Sequence, residues 1–242
     1  MTDLRPVWVL ISVSALGFAA CKPKVDPLSA ATQETPEGKA CPPSVGMISD
    51  GENSANQVNV TNGRGGYWYT FADEAGSSIT PMTGKQGGTF AMEAGGAEGT
   101  KMAAHMTGSI GNADIVYAGM GLNFVDPKGP YDASAYQGIS FWGKKGPGST
   151  GKVRLKVPDS ATDPDGGICS ECFNDFGADL TFSDNWQKFT IPFHAMKQIK
   201  GWGNPHTAGI DKSKLYSIQF QVSEKGAKFD MWVDQIQFTG CQ

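Results

Sequence analysis

Val153, Leu155 and Val157 alternate with Arg154 and Lys156, and the same period of two returns at Phe189, Ile191 and Phe193. It returns again at Ile218, Phe220 and Val222, interleaved with Gln219 and Gln221. Successive side chains of a strand point to opposite faces, so each run buries one face and leaves the other to solvent. A sheet built this way needs a second layer against its apolar side. Further strands are expected at Tyr67 to Phe71, Thr89 to Glu93, Lys101 to Met106, Tyr117 to Val125, Gly138 to Lys144 and Phe229 to Thr239. Gly, Pro, Asn and Asp stand between them, and Gly alone supplies 32 of the 242 residues. Helical period is limited to one turn at His194 to Ile199. The pattern predicts an all-β chain, an antiparallel β-sandwich of about nine strands.

The beginning of the chain reads differently. Val7 to Ala20 form an apolar run behind Arg5, too short for a membrane span, and the run closes on Ala19-Ala20-Cys21, which resembles a bacterial lipobox. That resemblance implies a signal peptide over residues 1–20, a lipid on Cys21 and a protein of the cell envelope, anchored at the outer membrane or cell surface. Cleavage after Ala19, giving a secreted protein, is the other reading. From Lys22 to Lys39 the chain has no apolar period, so residues 21–40 are expected to be a flexible tether and 41–242 a single domain. The net charge is −4 with no cluster of Lys or Arg, which excludes nucleic acid as a partner and leaves the lipid as the sole membrane contact. A monomer is expected.

Exported chains meet an oxidising environment, so the four cysteines after Cys21 are read as paired. First and last strands of sandwiches often lie side by side, which predicts Cys41 with Cys241 and a stabilisation of ~5 kcal/mol from closing so long a loop. Cys169 and Cys172 admit a redox pair, half a zinc site or a local staple. With three His in the chain and no second CxxC, the staple is the expectation.

Five segments, in order, carry a family resemblance: Ser49-Asp50-Gly51-Glu52, Ile139-Ser140-Phe141-Trp142, Asn185 to Phe193, Ser217-Ile218-Gln219-Phe220 and Trp232-Val233-Asp234-Gln235-Ile236. Together they resemble the family 11 carbohydrate-binding modules and related galactose-binding-like jelly rolls, over most of Met47 to Gly240. Gly63 to Tyr69, Cys169 to Gly177 and Gln198 to Gly203 resemble motifs of exported bacterial proteins that share the domain. The resemblance implies a jelly roll that binds polysaccharide of the β-glucan type without cleaving it. It further implies that Asn174, Asp175, Gln198 and Trp202 lie on loops at one face, and that Ca²⁺ sits where the first and last strands meet, held by Asp50, Glu52 and Asp234. A solvated turn at Asp50 and Glu52 with Asp234 capping a bulge is the alternative. Asp159, Asp163 and Asp165 read as a weaker metal candidate or a solvated loop.

The residues themselves supply the chemistry that sugar recognition needs. A pyranose offers an apolar face to flat aromatics and a rim of hydroxyls to fixed polar groups. In Tyr67-Trp68-Tyr69-Thr70-Phe71 both faces of one strand are aromatic, which places Tyr67 and Tyr69 as stacking candidates, with Arg64 before them and Asp73 after as hydrogen-bonding partners. Trp68 and Trp202 either stack on sugar or plug the ends of the sandwich, whereas Trp142, Trp186 and Trp232 are expected in the core. No hydrolase elbow, zinc-protease helix, P-loop or dinucleotide fingerprint is present, and His105 and His194 read as structural. The expectation is a binding protein and no enzyme. Its alternatives are an adhesive surface protein with a protein partner and a glycan hydrolase with a hidden carboxylate pair.

Overall fold

The structure, a computed structural model, describes residues 38–53, 55–82 and 88–241. The signal segment, Cys21 and all but the last residues of the tether lie outside the described residues. Among the described residues, twelve strands form two antiparallel sheets. The larger comprises β1 (Met47–Ser49), β3 (Ser78–Thr80), β4 (Glu93–Ala94), β5 (Met102–Ser109), β7 (Gly138–Lys145), β10 (Gln187–Pro192) and β12 (Lys228–Thr239). The smaller has the order β2 (Trp68–Ala72), β6 (Ala118–Asn123), β11 (Ser217–Val222), β8 (Lys152–Val157), β9 (Phe176–Thr181). The antiparallel sandwich expected from the period of two is therefore present, with twelve strands among the described residues where about nine were expected.

Burial follows the alternation. Ile218, Phe220 and Val222 of β11 face inward with Val153 and Leu155 of β8, while Gln219, Gln221 and Arg154 face out. Between the layers Phe141 meets Phe220 edge to face at 4.9 Å, the arrangement the ring quadrupoles favour. In β12 the inward set is Phe229, Met231 and Val233, then Ile236 and Phe238. That change of parity requires a bulge, and one occurs between Asp234 and Gln237, with Gln235 at φ 47°.

Three strands escaped the sequence reading. β1 and β3 are three residues each, and β9 carries Phe176-Gly177-Ala178-Asp179-Leu180-Thr181, whose apolar positions are too sparse to declare a period. Thr89 to Glu93 yields only the two-residue β4, and the turn expected from His194 is a 3-10 turn over Phe193–Ala195. Cys41 joins Cys241 and Cys169 joins Cys172, both as expected. Ahead of Cys41, Ala40 bridges Thr239 and Lys39 accepts from the Gly240 amide, so these two residues of the stretch read as tether pair with the end of the last strand.

The tryptophans correct the core expectation. Trp68 is buried and stacks on Phe90, but Trp142, Trp186 and Trp232 are half-buried and absent from the core. On the outer side of the larger sheet Lys144 sits between two indoles, 4.7 Å from the Trp186 ring and 4.8 Å from that of Trp232. The other face of Trp232 stacks on His105 at 3.7 Å, and both His105 ring nitrogens lie against carboxylates, Glu93 at 2.7 Å and Asp230 at 2.9 Å.

Candidate functional site: a cleft on the smaller sheet

The outer face of the smaller sheet carries a cleft of about 880 Å³, within the range of small-ligand sites. Its floor follows from strand register. Tyr69 on β2 pairs with Gly121 on β6, Gly121 with Gln219 on β11, and Gln219 with Lys156 on β8. The neighbouring row runs Phe71, Gly119, Gln221, Arg154 and Asp179. The two glycines matter because a Cβ on Gly121 would stand 3.1 Å from Tyr69 Cζ, and one on Gly119 would collide with the Phe71 ring. Missing side chains on β6 let the β2 rings lie over the sheet. Gln219 donates to the Tyr69 hydroxyl at 3.0 Å, and burial raises the Tyr69 phenol above its usual range against the lowering effect of its hydrogen bonds to Ser217 and Gln219. The hydroxyl therefore keeps its proton at neutral pH.

Two loops raise the opposite wall, with Phe173 60% exposed and Trp202 44% exposed in the cleft lining. Asn174 fastens one loop to the other: its amide donates to Ile199 O at 2.8 Å and Trp202 O at 2.6 Å, and its oxygen accepts from the Ile199 amide at 2.9 Å. A Cβ on Gly203, at φ 83°, would come within 2.5 Å of the Asn174 Cβ, so the turn after Trp202 requires glycine. Phe173 has φ 74°, unusual for a bulky residue and costing ~1–3 kcal/mol; the Cys169–Cys172 staple and a hydrogen bond from its amide to Thr162 O hold it there. Ile115, 77% exposed, lies in the lining as well.

The cleft's cations are each held. Arg154 reaches Asp179 at 2.9 Å, and Lys128 spans Asp163 at 2.8 Å and Asp165 at 3.0 Å. Burial alone would lower the Lys128 pKa, but the hydrogen bonds and charges of those two aspartates outweigh it and raise it. Asp159, fully buried, accepts from the Ala161 amide, the Thr162 hydroxyl and the Asp211 amide. The loop read as solvated or metal-binding is thus a hydrogen-bonded knot that positions Lys128.

Of the expected sugar-binding residues, the structure brings Tyr69, Asn174, Asp175 and Trp202 together in the cleft. Four others lie elsewhere. Arg64 is buried, donating to the Tyr131 hydroxyl at 2.7 Å and to Val45 O and Met47 O at 2.9 Å each, with its guanidinium 5.6 Å from the Tyr131 and Phe238 ring centres. Its work is structural, and burial pushes the Tyr131 phenol up to about 12 although the Arg64 charge pulls the other way. Tyr67 precedes β2, bridges Gln57 and stands outside the lining. Asp73 closes a turn: burial would raise its pKa, but the Ser77 hydroxyl and the amides of Tyr117, Ser77 and Ala75 together lower it. Gln198 braces its own loop and ties it to the other, donating to Pro205 O and Asn174 O and accepting from the Thr207 amide.

The three residues expected to hold calcium are hydrogen-bonded within the chain. Asp234 accepts from the Ala97 amide, the Thr100 hydroxyl and the Gln235 amide at 2.6–2.7 Å, which caps the β12 bulge. Glu52 accepts from the Lys101 and Met102 amides, and Asp50 from the Asn59 side chain and the Glu52 amide. Burial, and to a smaller degree the Glu52 charge, raises the Asp234 pKa against its hydrogen bonds. Calcium is held by several carboxylate and carbonyl oxygens that converge on one position. Here donors of the chain reach both oxygens of Asp50, both of Asp234 and Oε1 of Glu52, and among the described residues no three His, Cys, Asp or Glu side chains converge on a metal position.

Phe173, Lys156, Asn123 and Gln219 line the cleft without having been singled out from sequence. The signal for Lys156 and Gln219 was their place on the polar side of a strand. Phe173 had none, because its loop has no period.

Comparison with solved structures settles the fold. A family 11 carbohydrate-binding module from Clostridium thermocellum, in complex with a β-1,3-1,4-mixed-linked tetrasaccharide, superposes with a TM-score of 0.55 at 20% identity, covering 81% of this chain and 97% of that one. The chain has a family 11-like jelly-roll fold. A second structure of such a module, from the cellulosomal cellulase Lic26A-Cel5E of the same organism, gives 0.55 at 19% identity over 81% and 94%. A family 30 carbohydrate-binding module gives 0.52 at 13% over 81% and 97%. No protein-family model and no curated protein matches the sequence. The family 11-like fold is therefore carried by backbone arrangement, with identities low enough that every side chain of the cleft has to be read on its own.

Proposed function

We propose that this domain binds a polysaccharide of the β-glucan type in the cleft and does not cleave it. The observation that carries the reading is the pairing of two aromatic walls, one of them exposed, with a polar floor on one sheet face. Tyr69 and Phe71 stand on one side and Phe173 and Trp202 on the other, above Gln219, Gln221 and Lys156. An open groove of this kind fits a sugar chain, and a flat apolar patch would fit a protein partner better. The mixed-linked glucan fragment in the similar module supports the choice of glycan. Cys21, behind its apolar leader, would carry the lipid that holds the domain at the cell envelope.

Affinity electrophoresis of residues 38–242 in gels containing barley mixed-linkage β-glucan tests the function. Retardation with micromolar to millimolar affinity is expected, since a shallow site buries little area. A wild-type protein that no polysaccharide retards would sink the reading. For the anchor, cell fractionation should find the wild type in membranes and Cys21→Ser in the soluble fraction.

A further inference from the structure

The floor of the cleft contains carboxylate and amide oxygens that, among the described residues, take part in no hydrogen bond. Asp175 is 1% exposed and lines the cleft just ahead of β9. Lys156 Nζ lies 2.9 Å from its Oδ2, yet neither carboxylate oxygen takes part in a hydrogen bond of good geometry. The ion pair offsets charge but leaves directional bonding unmade. Lys156 Nζ also donates to Gln221 Oε1 at 3.3 Å, so its capacity is divided. On β6, Asn123 Oδ1 is likewise enclosed and unpartnered, and Asn123 lines the same cleft. Buried acceptors are ordinarily satisfied, so each of these asks for a donor that comes from outside the chain.

The chemistry of that donor is restricted. A metal cation would meet the Lys156 ammonium beside Asp175 and be repelled. A carboxylate would present more acceptors to oxygens that already lack hydrogens, and an ether oxygen has no hydrogen to give. Water can fill the floor in the free protein, but a ligand gains only if its groups reproduce the hydrogen bonds water made. Hydroxyl groups do so. On the carbohydrate-binding reading of the cleft, we propose that Asp175 and Asn123, with Lys156 beside them, form a subsite that reads free hydroxyls on an uncharged sugar residue and rejects residues whose hydroxyls carry carboxylate or ether substituents. Specificity of this type is steep because the wrong ligand leaves the floor's polar groups unpaired.

The test compares neutral β-glucan with its carboxymethylated derivative in affinity electrophoresis, on wild type, Asp175→Asn, Asn123→Ala and Trp202→Ala, each checked for its melting temperature. Wild type should prefer the neutral polymer by at least about tenfold. Asp175→Asn should weaken binding of the neutral polymer by roughly ten- to a hundredfold and shrink that preference, because Lys156 is then free to meet a carboxylate. Asn123→Ala, which leaves the ion pair intact, should weaken neutral binding by roughly threefold to tenfold. If Trp202→Ala loses affinity while Asp175→Asn and Asn123→Ala bind as wild type, the cleft binds sugar and the subsite is wrong. Equal retardation of wild type by the two polymers also overturns the subsite. Absence of retardation by either polymer overturns both readings. Should Asp175→Asn fail to fold, Asn123→Ala and the wild-type preference still decide.

Discussion

The outer faces of the two sheets are built from the same kinds of residue and reach opposite ends. On the larger sheet, aromatic faces and charges are used up on each other: Lys144 lies between Trp186 and Trp232, Trp232 stacks on His105, and His105 and the Trp232 indole both hydrogen bond to Asp230. On the smaller sheet, the Tyr69 and Phe71 rings lie over glycines, Trp202 and Phe173 stand exposed, and the Asp175 carboxylate, ion-paired to Lys156, takes part in no hydrogen bond among the described residues. A face whose groups complete each other contributes to stability. One whose groups remain unpaired has stability to gain from a ligand.

Breaking each side should therefore move a different observable. The largest effect belongs to the disulfide that ties the start of the domain to the residues just after β12. Replacing Cys41 and Cys241 by Ser opens a loop of sequence separation 200 and should cost ~5 kcal/mol of stability by the chain-entropy estimate, read by urea unfolding under non-reducing conditions. Glycan affinity of the protein that remains folded should be unchanged, because the link is remote from the cleft lining.

Next come the paired tryptophans. Trp232→Ala removes an indole stacked on His105 and Lys144, and should cost ~3 kcal/mol and lower the melting temperature by roughly 5–10 °C with no loss of glucan binding. Trp202→Ala should do the reverse, weakening binding by roughly 1–3 kcal/mol and moving the melting temperature by no more than about 1 °C. Equal effects of the two on melting would erase the distinction between the faces.

The smallest effect is expected at the acidic group of Asp50, Glu52 and Asp234. Because amide and hydroxyl donors already reach both oxygens of Asp234 and Oε1 of Glu52, millimolar Ca²⁺ should shift the melting temperature by no more than about 1 °C. A rise of several degrees would show that those donors yield to the ion.

What the sequence determined by itself is the sandwich: alternation is a local property, and Val153 to Val157 or Ile218 to Val222 states its buried face without reference to any partner. Even the β12 bulge was latent there, in the change from odd to even apolar positions after Val233. Both cysteine pairings were legible because few alternatives existed. The cleft was legible only in part. Arg64 and Tyr69 lie five residues apart in one aromatic stretch, and nothing local tells that the first enters the core under Tyr131 while the second lies over Gly121. Those outcomes depend on partners 67 positions away for Arg64 and 150 positions away for Tyr69 and Gln219. Whether a polar group is satisfied or left for a ligand is a property of everything packed around it, so only the tertiary structure could decide that Asn174 fastens a loop while its neighbour Asp175 waits at the floor of the cleft.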